Sequence, residues 1–154
     1  MIRPYTPNDR EAILQIFNQN VPDFFATSEL KDLIHYLDHE LEDYFVYEED
    51  GALLGAGGIN YVYEEHKAYI SWDFVAEAAK GRGIGSQLVT HRLQHIQDNP
   101  TIRQIIVRTS QLAYRFYEKC GFALKETQKN YWAEGFDLYY MEFLFSPQST
   151  VHSP

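Results

Sequence analysis

The chain is predicted to form a single α+β domain on a mixed, mostly antiparallel sheet of about seven strands, flanked by about four helices. Its 154 residues are the length of one ordinary domain, and 45% of them are hydrophobic, enough for a packed core. Segments with strand or helix periodicity follow one another in the order β-α-α-β-β-β-α-β-α-β-β. This order, with hairpin turns between neighbouring strands, favours an α+β architecture.

The N-terminal part predicts a short strand followed by two helices. The strand covers residues 2–5, and Thr6, Pro7 and Asp9 supply the cap, the first-turn proline and the acid that begin a helix. Ser28 is expected to cap the second helix, because apolar residues follow it at helical spacing. That apolar stripe consists of Leu30, Leu33, Ile34, Leu37 and Leu41.

A hairpin is expected next, because Asp50-Gly51 separates two runs rich in aromatic and β-branched residues. The first strand covers residues 43–49 and the second covers residues 52–63. Glycine weakens a strand interior, so glycines in the second strand indicate a β-bulge or a close contact with a neighbouring element. These glycines are Gly55, Gly57 and Gly58.

The C-terminal half alternates strands and helices after a glycine-rich turn. The helix that follows this turn carries apolar residues on one face, and an Asn-Pro pair separates it from the next strand. The domain is expected to span residues 1–146, with residues 147–154 as a loose polar tail. The expected elements are strand 68–75, a helix from Ile84, strand 102–109, helix 112–119, and strands 124–132 and 136–145.

The stretch Lys80-Gly81-Arg82-Gly83-Ile84-Gly85-Ser86 joins a strand to a helix. Three glycines in five residues would weaken either element, so they indicate a flexible turn or the close approach of a ligand to the backbone. Free N–H groups at a helix start, together with the positive end of the helix dipole, form an anion site. Lys80 and Arg82 add positive charge beside that site.

Two common phosphate-binding loops do not match this stretch. A nucleoside-triphosphate loop needs Gly-x-x-x-x-Gly-Lys followed by Ser or Thr, and that pattern is absent. A dinucleotide loop needs Gly-x-Gly-x-x-Gly after the first strand of a βαβ unit, with an acid about 20 positions later. Here the spacing is Gly81-x-Gly83-x-Gly85, in the middle of the chain.

The stretch instead resembles the coenzyme A pyrophosphate loop of the GNAT superfamily of N-acetyltransferases, whose pattern is Gln/Arg-x-x-Gly-x-Gly/Ala. Lys80 replaces the usual Gln or Arg, and Gly83 and Gly85 match. Further along, Phe116-Tyr117-Glu118-Lys119 and Gly121-Phe122 resemble the family's segment Ala-x-x-Phe/Leu-Tyr-Glu-Lys-x-Gly-Phe. The resemblance covers residues 68–145 well and the N-terminal part by the order of its elements.

This resemblance implies that acetyl-CoA is the cosubstrate. In the family two central strands, here ending at Val75 and Thr109, splay apart and the coenzyme lies between them. The pantetheine arm pairs with backbone at the end of the first strand, and the pyrophosphate binds the N–H groups of the loop. Ser110 stands where some members carry an Asn that binds the arm. The residues implied in coenzyme binding are Phe74, Val75, Lys80, Gly81, Arg82, Gly83, Ile84, Gly85, Ser86 and Ser110.

Acetyl transfer by direct attack needs a neutral amine, a donor for the oxyanion and a proton for the leaving thiolate. A lysine-like amine has a pKa near 10.4, so about one molecule in a thousand is neutral at pH 7 without a base or burial. A backbone N–H at Phe74 or Val75 is available for the oxyanion. The resemblance implies Tyr117 as the proton donor. Asp73 is the only acid on its strand and is expected to hold or deprotonate the amine, or else to accept backbone hydrogen bonds at a bulge.

The acceptor is expected to be a small-molecule or peptide amine. Six aromatic residues are predicted walls of its pocket, with burial in the core as the alternative for each: Phe24, Phe25, Tyr61, Tyr63, Tyr131 and Trp132. Acidic residues expected to bind or deprotonate a cationic acceptor are Glu134, Asp137 and Asp23. A hypothesis of a different class is a non-catalytic acyl-CoA-binding or sensory module of the same fold.

Composition and charge limit the other classes of function. The net charge of −9 argues against nonspecific nucleic-acid binding, and no apolar run long enough for a membrane span is present. The single Cys120 favours a reducing, cytoplasmic environment and is expected to pack rather than react. No metal site is predicted, because His35 and His39 lack a third ligand. A homodimer is left open.

Overall fold

Seven strands and four helices follow one another in the order predicted from the sequence. The computed structural model of the chain describes residues 1–145, so the predicted boundary at residue 146 and the predicted tail lie outside the described residues. The helices are α1 (Arg10–Gln19), α2 (Leu30–His39), α3 (Ile84–Gln97) and α4 (Tyr114–Lys119). The strands are β1 (Ile2–Pro4), β2 (Asp43–Glu49), β3 (Ala52–Val62), β4 (Lys67–Val75), β5 (Gln104–Thr109), β6 (Phe122–Ala133) and β7 (Phe136–Phe143).

The strands form one sheet in the order β1-β2-β3-β4-β5-β7-β6. The β4–β5 pair is parallel, and the other neighbours are antiparallel. The parallel pair needs a crossover, which α3 supplies. This is the mixed, mostly antiparallel sheet predicted from the sequence, and it brings the ends of β4 and β5 to the centre of the molecule.

Helices α2 and α3 cover opposite faces of β3. Successive strand residues point to opposite faces, and two adjacent glycines of β3 face the two helices. A Cβ at Gly57 would meet Arg92 of α3, whereas a Cβ at Gly58 would meet Tyr36 of α2. At this point only the β3 backbone separates the two sides of the sheet.

The start of α2 differs from the prediction in its cap. Ser28 lies inside a short 3₁₀ turn, Thr27–Glu29, and is not the capping residue. The Ala26 N–H donates to Glu29 Oε2 over 2.8 Å, so the Glu29 carboxylate satisfies the backbone at the start of the turn. None of the helices within residues 1–145 has the length and apolar character that crossing a bilayer requires.

Candidate active site

Strands β4 and β5 run apart part-way along their length. Ile70 and Val107 are the last residues to pair in the described ladder, although the strands continue to Val75 and Thr109. A strand edge without a neighbour keeps its backbone donors and acceptors free for a ligand. A cavity of about 610 Å³ occupies the gap between the strands. The splayed central strands implied by the resemblance are therefore present.

The cavity extends from the glycine loop to the point where the two strands meet. Lys80 and Gly85 line it near the end of β4, and Arg108 and Trp132 line it beside the paired part of β5. Its volume lies in the range of small-molecule and cofactor sites. Residues 1–145 contain no group of three or more His, Cys, Asp or Glu side chains placed to share a metal ion.

A β-bulge shapes the wall of this cavity. β4 carries one extra residue opposite Gly57, where the β3–β4 ladder shifts register. Trp72, at the bulge, has a φ of 50°, a conformation that is strained for a bulky aromatic residue. The Tyr44 hydroxyl donates to the Trp72 carbonyl over 3.0 Å and holds this conformation. The bulge that the glycines of β3 predicted is therefore confirmed.

The bulge turns Asp73 towards α3 and α4. Tyr117 Oη of α4 donates to Asp73 Oδ2 over 2.6 Å, and the Arg92 guanidinium of α3 forms an ion pair with the other carboxylate oxygen. The Arg92 side chain is 1% exposed and that of Asp73 is 14% exposed. Arg92 also donates to the Leu88 and Gly58 carbonyls over 3.0 Å each, which fixes the guanidinium at the cavity wall.

Burial and charge act together on the Tyr117 hydroxyl. Burial raises the pKa of Tyr117 well above 10, and the charge of Asp73 and its hydrogen bond raise it further. Tyr117 is therefore a neutral phenol at physiological pH. For Arg92, burial lowers the pKa but the Asp73 carboxylate outweighs it, so the guanidinium pKa is raised and the charge is kept.

The two glycines of β3 make room for these side chains. A Cβ at Gly57 would lie 2.5 Å from Asp73 Oδ1 and 2.6 Å from Arg92 Cζ. A Cβ at Gly58 would lie 2.6 Å from Tyr36 Oη. Both distances are shorter than atoms can approach, so the predicted contact of this strand with neighbouring elements is also confirmed.

Two buried donors at the cavity have no hydrogen-bond partner among residues 1–145. They are Tyr36 Oη and Arg92 Nη2, and both side chains line the cavity. A buried polar group without a partner costs free energy, so these atoms are positions where a bound ligand or water would be stabilised.

The aromatic residues predicted for the acceptor pocket divide into two groups. Phe24 and Phe25 line the cavity, and Phe25 stacks on Trp72 at 6.0 Å between ring centroids. Trp132, also a predicted wall, lines the cavity, whereas its neighbours Tyr131 and Glu134 are exposed. Tyr61 and Tyr63 stack on each other and are not among the residues that line the cavity. Tyr131 and Glu134 are therefore not among the residues that line the cavity.

The glycine loop has the backbone conformation that only glycine adopts readily. Gly81 and Gly83 have φ values of 82° and 79°, and Gly83 is the residue immediately before α3. No described atom lies within 4 Å of a Cβ built at either position. The Arg82 guanidinium binds the Glu49 carboxylate over 2.8 and 2.9 Å, and Lys80 Nζ lies 2.9 Å from Glu77 Oε2.

The remaining predicted coenzyme residues lie at the start of α3, at the end of β4 and after β5. The Ile84 side chain is buried and Ser86 is exposed, so within the described loop it is Lys80 and Gly85 that line the cavity. Phe74 and Val75 line it as well. Ser110 is a buried cavity residue, and its Oγ accepts a hydrogen bond from the Leu112 N–H over 3.2 Å.

Among the cavity residues that the sequence did not indicate, four have side chains that bear on the site: Arg92, Tyr36, Asn20 and Arg108. Arg92 had a detectable signal, since it continues the four-residue spacing of Ile84 and Leu88 on the buried face of α3. Tyr36 follows Leu33 by three positions on the buried face of α2. Asn20, whose Nδ2 donates to the Val75 carbonyl over 3.0 Å, and Arg108 had no comparable pattern.

The splayed sheet, the cavity between its central strands and the glycine loop at its open end define an acyl-coenzyme A-dependent transferase. The family model described as acetyltransferase (GNAT) family matches residues 10–122. The chain belongs to this family and is an N-acetyltransferase. None of the curated proteins matches the sequence significantly.

Solved structures of this class share the fold over nearly the whole chain. A protein assigned to the GNAT family from Desulfovibrio desulfuricans is 19% identical, with a TM-score of 0.77, covering 93% of this chain and 97% of that one. An aminoglycoside 6′-N-acetyltransferase complexed with coenzyme A is 13% identical, with a TM-score of 0.75 and coverage of 96% and 99%. The ribosomal-protein-S18-alanine N-acetyltransferase from Escherichia coli is 16% identical, with a TM-score of 0.76 and coverage of 96% of each.

Proposed function

We propose that this enzyme transfers an acetyl group from acetyl-CoA to a primary amine by direct attack. The observation that carries the proposal is the cavity, which runs in the gap between β4 and β5 and contains the Tyr117 side chain. One structure of similar fold is a complex with coenzyme A, which supports coenzyme A as the carrier.

The coenzyme is held by backbone groups at two points. Its pyrophosphate binds the free N–H groups between Gly81 and Ser86, because the first turn of α3 has donors without intrahelical partners. Its pantetheine arm lies along the separated edge of β4 at Phe74 and Val75 and passes Ser110. Asn20 holds the Val75 carbonyl and so fixes the course of this edge.

The acceptor amine attacks the thioester carbonyl, and the carbon–sulfur bond then breaks. A backbone N–H at Phe74 or Val75 donates to the tetrahedral oxyanion. Tyr117 gives its hydroxyl proton to the leaving thiolate. The attacking nitrogen is positively charged in the tetrahedral intermediate, and as the amide forms it loses a proton that returns through water to the Tyr117 oxygen. Before it reacts, the Tyr117 hydroxyl must turn from Asp73 towards the sulfur.

Asp73 acts through Tyr117 and Arg92 in this mechanism. Both of its carboxylate oxygens are occupied, one by the Tyr117 hydroxyl and one by the guanidinium. To deprotonate the amine, as the sequence led us to expect, the carboxylate would have to release one of these partners. A water-relayed base therefore fits the contacts better, with Asp73 as the positioning residue.

Direct attack is also supported by the state of the single cysteine. Burial and, to a smaller extent, the charge of Asp73 raise the pKa of the Cys120 thiol to about 11. A thiol with this pKa is almost fully protonated at pH 7 and is a weak nucleophile. An acetyl-enzyme intermediate on Cys120 is therefore unfavourable.

The test measures binding and turnover separately. Calorimetry with acetyl-CoA reports binding, and release of free thiol with a panel of amines, amino acids and peptides reports transfer. We expect micromolar to millimolar affinity and amine-dependent thiol release. Binding without thiol release for every amine would support the non-catalytic acyl-CoA-binding module. Replacing acetyl-CoA with longer acyl-CoA thioesters in the same assay identifies the acyl group.

A further inference from the structure

Arg108 is a cavity arginine that the coenzyme assignment does not use. It follows Val107, the last residue of β5 that pairs with β4, and so lies at the closed end of the gap. The glycine loop follows the far end of β4, beyond Val75. A strand advances about 3.3 Å per residue, so the five residues from Ile70 to Val75 separate the two ends by roughly 15 Å.

Aromatic rings hold the Arg108 guanidinium in place. Its Cζ lies 5.8 Å from the centroid of the Tyr69 ring and 5.9 Å from that of Trp132. Trp132 is fixed in turn, because its Nε1–H donates to the Thr109 carbonyl over 3.0 Å. Contacts with ring faces orient a guanidinium and leave its N–H groups free to donate.

Arg108 makes no ion pair and no side-chain hydrogen bond within residues 1–145. Across the sheet Arg108 pairs with Tyr140 of β7, and Tyr140 pairs with Glu126 of β6, with which Arg108 forms no salt bridge. The other cations that line the cavity are paired, Lys80 with Glu77 and Arg92 with Asp73. Arg108 is exposed to solvent as well as lining the cavity, so its free N–H groups are accessible to a ligand that enters the cavity.

We infer that Arg108 binds a carboxylate of the acceptor, and that the acceptor is a small amino acid. The guanidinium matches a carboxylate in two parallel hydrogen bonds, which is the recognition that arginine performs best. Glu40, an exposed acid, lines the same cavity, so the ammonium group of the same molecule also meets negative charge there. The inference rests on the proposed acetyl transfer and names its substrate class.

The volume of the cavity is sufficient for a small amino acid beside the acyl end of the coenzyme. Its volume of about 610 Å³ must hold the acetyl group and part of the pantetheine arm as well as the acceptor. A polycationic acceptor would bring positive charge against Arg108 and is disfavoured by the same Coulomb interaction.

The first experiment compares matched amines on the wild-type enzyme. Each amino acid is assayed beside its amide and its decarboxylated amine, with thiol release at saturating acetyl-CoA. We expect at least one amino acid to exceed both analogues about 10- to 100-fold in kcat/KM, the range of a charge-assisted hydrogen-bond pair. Amines without a carboxylate that react equally well would overturn the inference and leave acetyl transfer intact. No turnover with any amine would overturn the proposed function.

The second experiment tests Arg108 itself. Arg108→Gln should raise KM for the preferred amino acid about 10- to 100-fold, leave the rate with its decarboxylated amine unchanged, and leave acetyl-CoA affinity unchanged in calorimetry. Arg103→Gln is the matched control, because Arg103 is an exposed arginine near the start of β5 outside the described cavity lining. Equal KM values for Arg108→Gln and wild type would refute the role of Arg108.

A binding measurement gives a readout that does not depend on turnover. Titration of the preferred amino acid into the wild-type enzyme saturated with coenzyme A should give heat, whereas Arg108→Glu should abolish that heat. Arg108→Glu should also gain activity with the decarboxylated amine relative to the amino acid. Retained amino-acid binding in the folded Arg108→Glu variant would contradict the inference.

Discussion

Tyr117 Oη and Asp73 Oδ2 lie 2.6 Å apart, and this hydrogen bond joins α4 to the bulge of β4. It fixes the phenol in the cavity and directs its hydrogen at a carboxylate. The same carboxylate binds Arg92, so three segments distant in sequence meet at one group. The reactivity of Tyr117 therefore depends on the charge of its neighbours as well as on its position.

Replacing Tyr117 with Phe should keep coenzyme binding and slow turnover. If the hydroxyl supplies the proton for the thiolate, kcat falls about ten- to a thousandfold. Steady-state kinetics with calorimetry for acetyl-CoA measure the two effects. Tyr114→Phe is the control, because Tyr114 lies on the same helix and packs on Tyr139 away from the described cavity lining. Unchanged kcat in Tyr117→Phe would leave this tyrosine a packing role.

The plot of kcat against pH should stay level to high pH. Burial and the Asp73 carboxylate raise the pKa of Tyr117 well above 10, and the active form is the protonated phenol. A raised pKa moves the loss of the proton to higher pH, so kcat should show no decline assignable to Tyr117 below pH 10. The measurement is kcat from pH 7 to 10 with saturating substrates, corrected for spontaneous thioester hydrolysis. A decline centred below pH 10 that disappears in Tyr117→Phe would contradict the assignment.

Replacing Asp73 with Asn separates the positioning role from the role of base. Without the carboxylate charge the pKa of Tyr117 falls, so kcat should be lost at high pH first. If Asp73 were instead the general base, the activity of the Asn variant would rise with pH, because free amine accumulates at high pH and no longer needs a base.

The Asn variant also leaves the Arg92 charge buried without its partner, which costs about 3–5 kcal/mol of folding free energy. The double variant Asp73→Asn, Arg92→Met removes that charge and keeps the comparison possible if the single variant is unfolded. If activity rises with pH in both variants, Asp73 is the general base and not a positioning residue.

Gly57→Ala should disrupt the ion pair behind Tyr117. The new Cβ would lie 2.5 Å from Asp73 Oδ1 and 2.6 Å from Arg92 Cζ, so the pair must move. We expect a loss of about 1–3 kcal/mol in the free energy of unfolding and a lower kcat. Gly55→Ala is the comparison for crowding in the same strand, since its Cβ would meet Leu88 Cδ1 at 3.1 Å and the Phe74 carbonyl at 3.2 Å without touching the pair. Wild-type kcat in the folded Gly57→Ala variant would show that the pair does not act on the reaction.

Gly83→Val should abolish acetyl-CoA binding. The backbone at Gly83 has a φ of 79°, and a side chain there would occupy the space in front of the first N–H groups of α3. Gly51→Val is the matched control, because Gly51 has a φ of 80° in the turn between β2 and β3, so the backbone strain is the same. Calorimetry that gives equal acetyl-CoA affinity for both folded variants would refute the phosphate-binding role of the loop.

The sequence predicted the order of the elements and the loop well, because both depend on local chemistry. β2 has its predicted bounds, and the predicted helix start at Ile84 is the observed one. Turn residues and periodic apolar positions carry this information within one element. The cap of α2 was assigned to the wrong residue, because Glu29 closes the turn from inside it.

The direction of single side chains could not be read in the same way. The bulge in β4 adds one residue, and a shift of one residue exchanges the faces of a strand. Asp73 therefore points to α3 and α4. The ladder between β6 and β7 is also irregular near Asn130, which has a φ of 56°. Alternation along β6 therefore could not separate Trp132, which lines the cavity as predicted, from Tyr131, which does not.

The two ends of the cavity are made by different parts of the chain. Lys80 and Gly85 precede or begin α3, whereas Arg108 and Trp132 belong to β5 and the last hairpin. The two ends therefore share no segment of the chain, and substitutions can accumulate at one without changing the residues of the other. If the proposed role of Arg108 is right, related enzymes with other acceptors should differ around Arg108 and keep the glycine loop.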